Sequence, residues 1–359
     1  MQHQLCYKPL KTHYPILDGL RGTAAILVVV FHLYEGIYID YSIHPVHHGY
    51  LAVDFFFMLS GFVISYAYDD RWGTMTTWDF FKTRLIRLHP LVVISAVVGA
   101  ICFWFDPYID AKYHIDLLKL VGITLLGITL LPTPDVRGWD ETHSLDGPFW
   151  SLFQEYIANL LYAFWGRRMG KTTLWIVVII TGCWLAGVAN WNGSVASGWA
   201  YGNFWIGLTR MLFPFFAGLL LFRSDKLIRI PNAYLLCSLA LIVLFFLPYV
   251  KYNGLFEAAG IIFIFPLIIA AAAGSSIDGK WAKLCKFSGA ISYPLYIIHY
   301  PFIYIYTYWI GVKKPTHAQI LPVAVGLLAL FILLAYVLLK LYDEPVRNWL
   351  KKKFIRAQL

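Results

Sequence analysis

Charge is what this chain has least of. Asp, Glu, Lys and Arg make up only 14% of its 359 residues, whereas an ordinary soluble domain carries roughly 25%. That shortage excludes a soluble enzyme or binding module of the usual kind. Cysteine is sparse as well: the five residues at 6, 102, 183, 237 and 285 have none of the paired spacing that a disulfide framework or zinc site requires. Sequence repeats and low-complexity segments are missing. The longest polar stretch, 133–148, reads as a loop, so the chain is expected to be one membrane-embedded domain over 1–359, with a cytoplasmic tail at 342–359.

Apolar residues are abundant. They make up 59% of the chain, aromatics 18%, and runs of about 18 to 23 residues recur, each long enough to cross roughly 30 Å of hydrocarbon. The runs fall at 16–34, 50–68, 88–105, 149–166, 173–190, 203–222, 233–250, 255–274, 289–310 and 319–341. An eleventh stretch, 117–131, is shorter, contains Gly122 and Gly127, and is closed by Pro132 and Pro134; it reads as re-entrant or interfacial. Cytoplasmic loops collect Lys and Arg. Ten spans with both termini cytoplasmic place 21 of these residues inside and 6 outside, whereas an eleventh span would leave 10 inside and 17 outside. The expected fold class is therefore all-α, an integral membrane protein of about ten helices. The net charge of +9 reflects this bias and attraction to anionic lipid at Lys351–Lys353, not nucleic-acid binding. Arg21 interrupts the first run and no small-residue cleavage site follows it, so this segment reads as retained, not as a signal peptide.

Chemistry is then sought in the polar residues inside the spans, which are costly in lipid. Arg21 and His32 are eleven residues apart, about 20° from three full helical turns, and so share a face some 16 Å apart along the axis. Asp18 sits three residues before Arg21, within pairing reach. Asp54 opens the second span, and Arg84 and Arg87, also three apart, precede the third at the cytoplasmic boundary, a pair suited to phosphate. Ser151, Glu155 and Asn159 form a stripe at i, i+4, i+8 on the span after the outer loop, with Glu155 expected at the depth of His32. Ser288, Ser292, Tyr296 and His299 line one face near the C-terminus. The cluster His44, His47, His48 has no carboxylate at ligand spacing, and no metal site is read there.

Five runs carry a resemblance: LDGLRGTAAILVVVFH, GYLAVDFFFMLSGF, FKTRLIRLHP, WSLFQE and FSGAISYPLYIIH, over 17–299, followed by DEPVR at 343–347. In order and spacing this series closely resembles the acyltransferase-3 family of integral membrane O-acyltransferases. The sequence departs from the family pattern at Ala52, where Gly is usual, at His89, where an aromatic precedes the proline, and at Tyr156, where a second Glu is common. The resemblance implies transfer of an acyl group, usually acetyl, from cytoplasmic acyl-CoA to a hydroxyl of a glycan or lipid-linked saccharide, in a bacterial cytoplasmic membrane. It places His32, Arg21, Arg84, Arg87 and Glu155 on the family's marked positions.

A neutral imidazole is the natural base for an attacking hydroxyl, which assigns His32, with Glu155 or Asp54 as the carboxylate that fixes its tautomer. Arg21, Arg84 and Arg87 are expected to hold the CoA phosphates, and Ser292 or Tyr293 to line the path of the pantetheine arm. A covalent acyl-His32 intermediate is the alternative route. A transporter or flippase of a glycan or small anionic solute is the competing reading, although the internal symmetry of many transporters is not visible.

Overall fold

A computed structural model describes residues 13–355. Lys8, Lys11 and Arg356 of the charge count, and Cys6, lie outside the described residues. The chain forms α1 (Pro15–Glu35), α2 (Ala52–Tyr68), α3 (Thr77–Trp104), α4 (Leu117–Ile128), α5 (Phe149–Phe164), α6 (Lys171–Asn192) and α7 (Ile206–Ser224). It continues through α8 (Ala233–Phe246), α9 (Asn253–Ala259), α10 (Phe265–Gly274), α11 (Gly279–Ile298), α12 (Tyr300–Lys313), α13 (His317–Leu338) and α14 (Glu344–Phe354). Among the described residues no strand forms; a lone β-bridge joins Glu141 to Ala200. Seven helical stretches among the described residues are long and apolar enough to cross a bilayer, which makes this an all-α integral membrane protein. The α4 helix, at 12 residues, rises only about 18 Å, too short to cross.

Two helix boundaries differ from the hydropathy reading, and both shape the site. The 289–310 run is two helices, because Pro301 in the first turn of α12 has no N–H to continue the ladder from α11. Apolar residues on both sides hide that break. The α3 helix starts at Thr77, eleven residues before the apolar run, behind a capping box in which the Thr76 hydroxyl accepts the Asp79 N–H at 3.1 Å. Arg84 and Arg87 are therefore carried on the helix itself, two to three turns in.

Glycine fixes the closest helix pairs. α1 lies along α11 and α2 along α7, and a Cβ added at Gly289 would sit 2.6 Å from that of Asp18, so only a small residue permits this approach. Gly61 faces the Phe215 backbone and Gly218 the Met58 backbone in the same way. The α1/α11 pair thus runs in register from Asp18 and Gly289 at one end to His32 and His299 at the other.

Candidate active site

Two cavities meet inside the bundle. The first, of ≈ 490 Å³, is lined by Arg21, Arg84, Arg87, Arg347 and Lys351 among others. The second, of ≈ 600 Å³, is lined by His32, Glu35 and a group of aromatics that includes Trp139, Trp150, Trp199 and Tyr300. Val53 and Tyr296 are common to both linings. The two spaces are back to back.

Most cations of the first cavity are already neutralised. Arg21 donates to Ser292 Oγ at 2.9 Å and to the Gly289 carbonyl at 2.6 Å, and pairs with Asp18 at 3.1 Å. Arg84, buried, donates to Asn159 Oδ1 at 2.6 Å and to Glu155 Oε1 at 2.8 Å. Arg347 pairs with Asp343 at 2.7 Å beside a π-helical turn at Leu339–Asp343, a feature frequent at functional sites. Arg87 and Lys351 carry no ion pair among the described residues, and both side chains are exposed. They are the cations left for an anionic ligand. Tyr293 is anchored by its hydroxyl to the Leu88 carbonyl at 2.8 Å and lines this cavity together with Ser292.

The second cavity holds the histidine. His32 Nδ1–H donates to Glu35 Oε2 at 2.7 Å, and the Tyr41 hydroxyl donates to Glu35 Oε1 at 2.6 Å. With Nδ1 engaged, Nε2 carries the lone pair. Tyr300 stands edge-on to the His32 ring at 4.8 Å between centroids, and the His299 ring lies at 5.4 Å. Arg21 and His32 do share a face: Arg21 meets α11, and His32 meets His299 and Tyr300 just beyond its end.

Neither carboxylate expected to orient His32 does so. Glu155 accepts from Arg84 and, at 2.6 Å, from the Ser60 hydroxyl, and it lines the basic cavity, not that of His32. Asp54, fully buried, accepts twice from Arg210, at 3.2 and 2.6 Å. The reason is local. Arg84 sits far enough along α3 to reach Glu155, and Arg210 of α7, which also donates to the Tyr50 and Ser197 carbonyls at 2.9 Å, claims Asp54. Glu35, the residue that takes their place, lies one turn beyond His32 and just past the end of the apolar run. Its i, i+3 spacing was a readable signal.

The stretch 133–148 is also more than a connection. Backbone bonds from Thr133 N to Thr142 O (2.8 Å) and Thr142 N to Trp199 O (3.0 Å) fold it against the 194–203 loop, and it sends Trp139, Glu141 and His143 into the aromatic cavity. Burial pushes the Glu141 carboxyl up to about 8, so near neutrality it is an O–H donor, while its Oε2 accepts from Tyr304 at 2.6 Å. Sequence reasoning missed these residues, because polarity marks a loop without revealing where it folds. Within the His44, His47, His48 cluster, His44 Nε2–H donates to the Phe31 carbonyl at 3.1 Å and its Nδ1 accepts from Val46 N–H at 3.0 Å, while His48 Nδ1 lies 3.2 Å from the Glu257 carboxylate.

Comparison with known proteins adds the chemistry. Residues 14–340 match the acyltransferase domain of the acyltransferase-3 family. A protein of the picA locus of Rhizobium radiobacter is 37% identical over 174 residues, covering 45% of this chain and 88% of that protein. The acyltransferase MdmB of Streptomyces mycarofaciens is 29% identical over 45% of this chain and 42% of its own length. A Staphylococcus aureus protein named as an O-acetyltransferase is 23% identical over 90% of this chain and 56% of its own length. The chain therefore spans about half the length of the latter two relatives. No solved structure matches. With the match running from the first turn of α1 to the end of α13, the chain belongs to the acyltransferase-3 family of membrane acyltransferases.

Proposed function

We propose that this protein transfers an acyl group, most simply acetyl, from cytoplasmic acyl-CoA to a saccharide hydroxyl, on a glycan or lipid-linked sugar, with His32 as general base. The observation that carries the reading is the pair of adjoining cavities, one with free cations and one with a carboxylate-oriented histidine. CoA is anionic at its phosphates, which suits Arg87 and Lys351. Its pantetheine arm is slender and uncharged, which suits the passage along Ser292 and Tyr293. Aromatic faces and a neutral carboxyl suit a sugar, whose C–H faces stack and whose hydroxyls need partners.

The step balances simply. The acceptor hydroxyl oxygen forms a bond to the thioester carbonyl carbon as the C–S bond breaks; His32 Nε2 takes the hydroxyl proton and returns it to the departing thiolate, releasing CoA as the free thiol. Glu35 stabilises the imidazolium in between. Glu155 and Asp54 act at one remove, by holding Arg84 and Arg210. Transport without chemistry gains no comparable support, because a transported solute needs neither an oriented base nor a family of acyltransferases.

In this reading the N-terminus is cytoplasmic and the membrane is the bacterial cytoplasmic one. Acyl-CoA enters at Arg87, the acceptor reaches His32 from the other side, and CoA never crosses. Sealed vesicles of fixed orientation, prepared from cells that make the protein, test this. Radiolabelled acetyl-CoA offered at the cytoplasmic face should label the enclosed saccharide and release thiol on its own side. Label that is taken up without free CoA would favour the transporter, and transfer only when both substrates share one compartment would overturn the sidedness.

The cations separate in a binding experiment. Arg87→Ala removes an uncommitted charge and is expected to weaken CoA binding by the roughly 1.5–3 kcal/mol of a charge-assisted contact. Arg84→Ala leaves the half-buried Glu155 carboxylate without its cation and should lower thermal stability more than affinity. Calorimetric titration of CoA into each variant decides it; unchanged affinity in Arg87→Ala would make that residue a topology signal only.

A further inference from the structure

The wall between the two cavities is narrow and specific. Val53 of α2 and Tyr296 of α11 line both spaces, and both side chains are buried, at 7% exposure. Tyr296 is fixed from two sides. Its ring lies edge-on to Phe56 at 5.5 Å between centroids, and its hydroxyl is 2.7 Å from Ser151 Oγ. The single Ser151 proton is committed to the Pro148 carbonyl at 2.8 Å, so Tyr296 is the donor in that pair. A hydrogen-bonded bar thus runs from α11 to the start of α5, with the Tyr296 ring one turn before His299 and one turn after Ser292 and Tyr293.

The geometry points to Tyr296 as the residue that sets the length of acyl chain the enzyme transfers. This rests on the reading that a thioester enters from the basic cavity and reacts at His32. The reacting carbonyl must then reach the His32 side of the wall while the sulfur and the arm remain on the Arg21 side. The acyl carbons beyond the carbonyl compete for space with the Tyr296 ring and the Val53 side chain. A two-carbon group passes beside the ring as it is held. A longer chain requires the ring to leave Ser151 and turn away from Phe56. Tyr296 and Ser151 act as a latch, with Val53 as its fixed jamb.

Native membranes from a strain with the gene intact, deleted, or restored with each variant provide the test. They are given radiolabelled acetyl-, butyryl- or hexanoyl-CoA, and gene-dependent transfer is read as kcat/KM for each donor. The native protein should prefer acetyl. Tyr296→Leu is expected to raise the butyryl-to-acetyl ratio by about tenfold or more, the scale on which an apolar pocket discriminates one or two methylenes. Tyr296→Phe, which keeps the ring and loses the latch, should give a smaller rise, matched by Ser151→Ala. Val53→Ala, the mildest change, should move the ratio the same way and keeps the test alive if Tyr296→Leu is not inserted.

A purely structural Tyr296 would lower transfer from all donors alike and leave the ratio fixed. Unchanged ratios in Tyr296→Phe and Val53→Ala overturn the proposal, as would a native protein that transfers hexanoyl as readily as acetyl. If the native protein instead transfers from none of the three donors, the acyl-CoA reading itself fails, and that result is distinct from a fixed ratio.

Discussion

Replacing His32 with alanine is expected to reduce acyl transfer by about 10²–10⁴-fold, the contribution of a positioned general base, while the protein remains inserted and folded. The expectation follows from what His32 touches. Its one polar contact among the described residues is with Glu35, on the same helix, and its ring lines a cavity beside Tyr300 and His299. Nothing between helices depends on its imidazole hydrogen bonds, so stability should change little. Glu35→Gln is the finer probe, because it preserves shape and removes the charge that supports the imidazolium. Its loss should be smaller than that of His32→Ala, with CoA affinity unchanged. A His32→Ala protein that acylates at the native rate would remove His32 from the mechanism.

The sequence carried the α-helical membrane character plainly, since scarcity of charge and recurring apolar runs are properties of composition. The Arg21/His32 face was legible because helical periodicity alone determines it, and the Asp18–Arg21 pair because it is local. Pairings between distant helices were not. Asp54 and Glu155 are conspicuous as acids in apolar surroundings, but their partners, Arg210 and Arg84, lie 156 and 71 residues away, and no spacing rule reaches that far. Hydropathy also misplaces boundaries where helices extend into polar sequence, as at Thr77, or break within apolar sequence, as at Pro301. Glu35 fell just outside the apolar window for the first reason. The cavity wall at Tyr296 depends on three helices meeting, which only the fold reveals.

Asp54→Ala should produce a different failure from His32→Ala, a loss of stability that precedes any loss of chemistry. Asp54 is fully buried and holds Arg210, itself 1% exposed, through two of its guanidinium nitrogens. Removing one partner leaves the other charge without compensation in a low-dielectric interior, which typically costs about 3–5 kcal/mol. Because Arg210 also ties the Tyr50 and Ser197 carbonyls, its displacement loosens two segments at once, and a sharp fall in membrane yield and unfolding temperature is expected. Replacing both members by apolar residues of similar size, Asp54→Leu with Arg210→Met, removes the orphaned charge and should recover part of the loss, leaving the two carbonyls unsatisfied. The thermal unfolding midpoints of the native, single and double variants in detergent measure that recovery directly. If Asp54→Ala instead melts with the native protein and has lost only its transfer activity, Asp54 acts on the reaction and not on the fold, and the carboxylate partner of the chemistry would have to be sought there in place of Glu35.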